Sequence, residues 1–190
     1  MDRTEYADFL ASKFRSHTPS GVDVDLSCAA HLFPFQRDIV RWALRMGRAA
    51  VFADTGLGKT RMQLEWARHI PGDVIILAPL SVAHQTAREG KDIGVNVTVC
   101  HGVEDVRPGV NITNYERMHK FDLARFAGFV LDESSIIKNH NSKTLAMLLD
   151  GFRNTPWRLC ATATPSPNDW TELATHAELL GVCTRSEMLA

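Results

Sequence analysis

Six short apolar runs constrain this chain most, each separated from the next by a helix-patterned or polar stretch. They are AAVFAD (49–54), DVIILA (73–78), VNVTVC (95–100), VNIT (110–113), GFVLD (128–132) and RLCATA (158–163). Each is strand-sized, β-branched and apolar almost throughout rather than in alternation, the pattern of strands buried on both faces. Helical periodicity runs over 58–69, 81–91, 142–149 and 169–180. Ahead of the first strand, FQRDIVRWALRMG (35–47) sets Ile39, Val40, Ala43 and Leu44 on one side. Strand and helix in this order predict an α/β fold with a mostly parallel central sheet and helices on both faces.

Composition narrows what such a fold carries. The 190 residues fit one domain, and 45% hydrophobic with 23% charged residues is the balance of a soluble globular chain. Lys plus Arg number 21 against 22 Asp plus Glu, which excludes a grip on nucleic acid through a whole-surface positive field but not a local groove. Cys28, Cys100, Cys160 and Cys183 lie far apart, so no paired-cysteine zinc or redox site is expected; the eight histidines lack ligand spacing as well. The amino terminus has no signal-peptide core, and VIILAPL (74–80) is too short to cross a bilayer, so a cytoplasmic, membrane-free protein is expected. The loop-like SHTPSGVDVD (16–25) suggests an N-terminal helical extension over 1–30, a body over 31–182 and a tail over 183–190.

Directly after the first strand stands ADTGLGKT (53–60), close to the phosphate-loop spacing G-x-x-x-x-G-K-[ST] with alanine first. A phosphate loop needs close backbone approach, a cation and a hydroxyl for magnesium. Gly56 and Gly58 allow the approach, with Thr55 and Leu57 completing the cradle; Lys59 faces the β- and γ-phosphates, and Thr60 takes the metal. Ala53 lies where the strand ends, so its methyl need not meet the phosphates. GFVLDESS (128–135) supplies the acidic partner: Asp132 at the strand tip for the magnesium shell, Glu133 to accept a proton from attacking water. Together they point to binding of ATP or GTP with Mg2+, and to hydrolysis.

These residues and their order resemble the first RecA-like lobe of superfamily-two helicases, in the Swi/Snf-like branch. LFPFQRDIV (32–40) resembles the adenine-reading motif, which implies Gln36 against the base, with Phe33 or Phe35 either near the ring or in the core; a side-chain amide matches adenine's donor–acceptor edge. LAPLSVAHQ (77–85) and ITNYERM (112–118) are similar to motifs that meet the nucleic-acid backbone. LDESSIIKN with NSKT (131–139, 141–144) resembles the acidic box, and ATATPSPNDWTEL (161–173) the motif coupling ATP to strand contacts. Ser134 and Ser135 depart from the usual alanine and histidine or aspartate, so a bond from Ser135 to Thr162 or Thr164 is expected to carry the coupling. The resemblance implies a DNA-dependent ATPase, with duplex DNA and a second RecA-like lobe, in cis or in trans, as partners. Ser81, Thr113, Asn114 and Lys138 fall at the sheet edge where backbone contacts form, and each serves equally well as a helix cap or turn residue. The stripe Arg37, Arg41, Arg45 and Arg48 is expected to be a solvated face, and Trp42, Trp66 and Trp157 core residues. A nucleotide-dependent interaction module without motor activity is the alternative.

Overall fold

The computed structural model describes Tyr6 and residues 18–137, 139, 142–166 and 168–189. All six expected strands form: β1 (Arg48–Phe52), β2 (Val74–Ala78), β3 (Val97–Val99), β4 (Val110–Asn114), β5 (Gly128–Asp132) and β6 (Trp157–Thr162). They make one sheet in the order β1-β6-β5-β2-β4-β3, and every pairing is parallel, so the expected mostly parallel sheet is wholly so. The helices are α1 (Pro34–Met46), α2 (Lys59–Arg68), α3 (Ala83–Asp92), α4 (Lys143–Gly151), α5 (Leu173–Leu180) and α6 (Arg185–Leu189). The pattern over 169–180 divides into a 3-10 turn, Trp170–Glu172, and α5, because Asp169 accepts a bond from the Thr171 amide and turns the chain there.

Alternate residues of the central strands feed two cores, which is why those strands read as continuous apolar runs. Val74, Ile76, Ala78, Ile112, Val130 and Leu159 meet Val40, Ala43 and Leu44 of α1 and Met62, Leu64 and Trp66 of α2. Ile75, Leu77, Phe129, Leu131 and Cys160 meet Leu145 and Leu148 of α4 and Leu179 of α5. In the second core Phe129 and Phe152 stack at 4.1 Å, worth about 1 kcal/mol beyond their buried area.

The packed body begins before residue 31. Leu26 and Ala29 are core residues, and the amides of Gly21 and Val22 donate to the carbonyls of Arg45 and Leu44. Arg41 grips the Asp23 carboxylate through two nitrogens at 2.7 and 3.1 Å, and Arg37 donates to the Ser27 carbonyl. Part of the arginine stripe therefore fastens the preceding segment rather than facing solvent alone. Trp66 and Trp157 are core residues as expected, whereas Trp42 is 48% exposed, since α1 buries Val40, Ala43 and Leu44 and turns position 42 outward. Buried Arg158 on β6 donates to the carbonyls of Thr155, Leu179 and Arg153, tying the sheet to the end of α5. Burial, helped by nearby Arg48, brings its guanidinium down to about 10, so it stays charged at neutral pH. All four cysteines are free, and Cys100 and Cys160 are buried. Among the described residues no helix is long and apolar enough to cross a membrane.

Register decides where the chemistry gathers. Phe52 pairs with Thr162, and Asp132 with Ala161, so β1, β6 and β5 end together along one edge. Ala78 pairs with Asn114 along the same edge farther over. β1 and β2 are consecutive in sequence but separated by β6 and β5, so the loop after β1 opens beside the tip of β5.

Candidate functional site

The loop between β1 and α2 turns through Gly56 and Gly58, at φ 81° and 76°. A side chain at Gly58 would be strained by that φ, and its Cβ would stand 2.4 Å from Gln36 Nε2. Lys59 Nζ folds beneath the loop and donates to the carbonyls of Ala53 at 3.0 Å and Asp54 at 3.2 Å. Thr60 follows at the amino end of α2, where the orphan amides and dipole of the helix favour an anion. Gln36, only 3% exposed, braces this arrangement: its Oε1 accepts from the Phe33 amide and its Nε2 donates to the Leu57 carbonyl at 2.8 Å. Phe33 and Phe35 stack on each other and are both exposed, at 6.2 Å between ring centroids.

Asp132 ends β5 across a cleft of about 370 Å³ from the loop. Thr55, Gly56, Gly58, Lys59, Thr60, Asp132 and Glu133 line one side, and Val82, Gln85, Thr86 and Glu89 of the α3 region line the other. Burial raises the Asp132 carboxyl above its usual range, and Glu133 adds to this; a 2.7 Å bond from Gln63 Nε2 opposes it. The Asp132 carbonyl is fixed by the hydroxyl of buried Tyr115 at 2.8 Å. Neither Gln63 nor Tyr115 stood out in the sequence. Gln63 lies one helical turn after Lys59, a spacing that becomes informative only once α2 is known to face β5.

Glu133 adopts a left-handed backbone, φ 55°, a strain of about 1 kcal/mol for a residue with a Cβ. Its Oε2 accepts from Thr162 Oγ1 at 3.3 Å, and Thr162 Oγ1 accepts in turn from the Thr164 amide at 3.1 Å. Acidic turn and coupling segment are thus joined through Glu133, not through the expected Ser135. Ser135 belongs to the 3-10 turn Ser134–Ile137 and lines a neighbouring cleft of about 380 Å³ with Pro79, Leu80, Tyr115, Glu116 and Ile136. Buried Ser134 instead lies 3.0 Å from His176 Nε2 on α5.

Along the same edge, the expected backbone-contact residues separate. Ser81 is exposed after β2. Thr113 is buried and donates to the Cys100 carbonyl, while Asn114 is buried and caps the turn Tyr115–Lys120 by accepting from the Arg117 amide. Both side chains are engaged by neighbouring backbone and also line a small pocket of about 100 Å³. Lys138 lies outside the described residues. What this edge exposes is a cationic group: Arg117 bonds to His101 Nδ1, Lys120 Nζ donates to the His101 carbonyl, and His84 lines the same small pocket.

The donor set in the main cleft suits magnesium. A threonine hydroxyl and one carboxylate are hard oxygen ligands, and magnesium is commonly held by one or two carboxylates together with substrate phosphates. Among the described residues no group of His, Cys, Asp and Glu forms a metal site of its own.

Comparison with known proteins follows the same lines. The family model for the SNF2-related domain matches residues 35–183. Among solved structures, the SWI2/SNF2 ATPase core of Sulfolobus solfataricus in complex with dsDNA superposes with a TM-score of 0.70 at 19% identity, over 92% of this chain and 40% of that one. The UvsW helicase of bacteriophage T4 gives 0.64 at 14% identity, over 95% of this chain and 66% of its own. The helicase domain of Pyrococcus furiosus Hef gives 0.63 at 19%, over 77% and 36%. The chain therefore spans less than two thirds of each of these proteins. No curated protein matches it in sequence. The shared fold is the expected RecA-like α/β lobe.

Proposed function

Since the chain belongs to the SNF2-related domain family, we propose that it is the ATP-binding lobe of a DNA-dependent ATPase, a helicase or duplex translocase working without sequence preference. One observation carries this reading: Lys59, Thr60, Asp132 and Glu133 line a single cleft at the carboxyl edge of a parallel sheet.

In this reading the loop amides and the amino end of α2 cradle the phosphates. Lys59 exchanges the carbonyls of Ala53 and Asp54 for β- and γ-phosphate oxygens. Thr60 and Asp132 hold magnesium, which when bound neutralises charge on those oxygens. Glu133, its Oε2 steadied by Thr162, takes the proton as a water oxygen attacks the γ-phosphorus and ADP leaves. Reading of adenine by Gln36 requires its amide to trade the Leu57 carbonyl or the Phe33 amide for the base edge. A second lobe, in cis or in trans, supplies an arginine to the γ-phosphate, a contribution of about 10³ to 10⁵ in rate. The duplex is met along the β2–β4 edge, where Ser81 and the cations of half-buried Arg117 and exposed Lys120 reach solvent.

Single-turnover hydrolysis of Mg-ATP, with and without duplex DNA and an added second lobe, tests the proposal. Binding with slow hydrolysis by the chain alone, accelerated by both additions, is expected. Fast DNA-stimulated turnover by the chain alone would contradict the need for a second lobe. Failure to bind Mg-ATP would contradict the nucleotide reading itself.

A further inference from the structure

His176 is the buried titratable group that this mechanism leaves unused. It lies on α5, 2% exposed, and contacts a neighbour of the acidic turn and the end of β1. Its Nε2 is 3.0 Å from Ser134 Oγ, and Ser134 directly follows Glu133. Its ring meets Phe52 edge-on, at 5.4 Å between centroids and 89° between planes; Phe52 is the last residue of β1 before the phosphate loop.

Burial favours the neutral imidazole, which carries a single N–H. Nδ1 is buried without a hydrogen-bond partner, whereas Nε2 lies within hydrogen-bond distance of the Ser134 hydroxyl. In the tautomer that carries the proton on Nδ1, Nε2 is the acceptor and the wholly buried Ser134 hydroxyl donates to it.

We propose that His176 is a positioning residue for the ATPase site, holding the acidic turn through Ser134 so that Glu133 keeps its left-handed backbone. This rests on the ATPase reading above. Glu133 is secured at two points. Thr162 holds its carboxylate, and the Ser134–His176 bond fixes the peptide that follows it. With the second hold gone, the strained φ at Glu133 relaxes and its carboxylate leaves the position that Thr162 marks. Lys59 and Thr60 are anchored separately, through the Ala53 and Asp54 carbonyls and through α2, so nucleotide binding is spared. The serine that departs from the usual acidic box thereby acquires a partner 42 residues away.

Ser134→Ala, His176→Phe and the double variant, made in the full chain, test the role. Phenylalanine keeps the aromatic edge against Phe52 and removes only the acceptor. Each single variant is expected to bind Mg-ATP within about twofold of the parent and to hydrolyse it about tenfold more slowly in a single turnover, as loss of an outer supporting partner does elsewhere. The double variant should be no slower than either single one. His176→Gln, whose amide oxygen can accept from Ser134, should recover part of the rate. Independently of activity, the Glu133 Cα and Hα chemical shifts should report left-handed backbone in the parent and lose that signature in Ser134→Ala. A folded Ser134→Ala protein with an unchanged rate and an unchanged Glu133 signature would overturn the role of His176 alone. A parent chain that binds no Mg-ATP would remove the ATPase reading and this role with it.

Discussion

Gln63 Nε2 donates to Asp132 Oδ1 at 2.7 Å, joining the helix that carries Lys59 and Thr60 to the tip of β5. The bond spans 69 residues of sequence and ties α2 to the end of β5 beside the cleft. Gln63 is 2% exposed and its Oε1 has no partner, so this single bond holds the buried amide. Gln63→Leu should therefore weaken magnesium-dependent ATP binding about tenfold, the scale on which outer-shell partners act, with a much smaller effect on binding in EDTA. Titration calorimetry in the two buffers checks this.

Asp132 is held in a state unfavourable to its own charge. Its native carboxyl lies above the usual 3.8, burial being the largest cause, so the ionised form costs stability in the metal-free protein. That cost is absent below the unfolded value, grows as pH rises toward the raised native value and is complete above it. Asp132→Asn should thus raise the melting temperature at neutral pH. The gain should shrink as the pH approaches 4, and magnesium-dependent nucleotide binding should be lost. Thermal melts between pH 4 and pH 8 read the sign.

In the proposed DNA-binding role, the β2–β4 edge grips the duplex through the cations of Arg117 and Lys120. Arg117→Ala should weaken duplex DNA binding for all sequences alike and lower the slope of log affinity against log salt by about 1. Thr113→Val should leave that slope alone, because the Thr113 hydroxyl is spent on the Cys100 carbonyl. Fluorescence anisotropy over a salt series separates the two.

Arg158 is the main polar tie between β6 and the end of α5. Arg158→Met leaves three carbonyls without their donor and should cost about 2–4 kcal/mol. Denaturant unfolding should show a lower midpoint, while nucleotide affinity in the folded protein stays near that of the parent.

Much of this was legible before any coordinates. Strands buried on both faces declare themselves by unbroken apolar runs, and GLGKT beside GFVLDE marks a phosphate loop and its acidic partner. What escaped is what only register and distance create. Gln63 reads as an ordinary helix residue until α2 is laid against β5. Ser134 and His176 carry no shared signal across their separation. Thr113 and Asn114 looked like groups offered to a ligand because a polar residue at a strand end has the same appearance whether its side chain faces solvent or folds back onto the chain. Here each makes a bond to neighbouring backbone while lining the small pocket at this edge. Ser135 looked like the coupling residue by its place in the acidic box, but the 3-10 turn beginning at Ser134 carries it to the next cleft.

Calorimetric titration of Mg-ATP into the parent chain and into Lys59→Ala tests the central claim most directly. The parent should give a saturable heat that EDTA weakens, and the variant should give little or none at the same concentrations, because the Lys59 ammonium is the side-chain cation that the phosphate loop itself presents to the phosphates. An equal heat from both proteins would contradict the account.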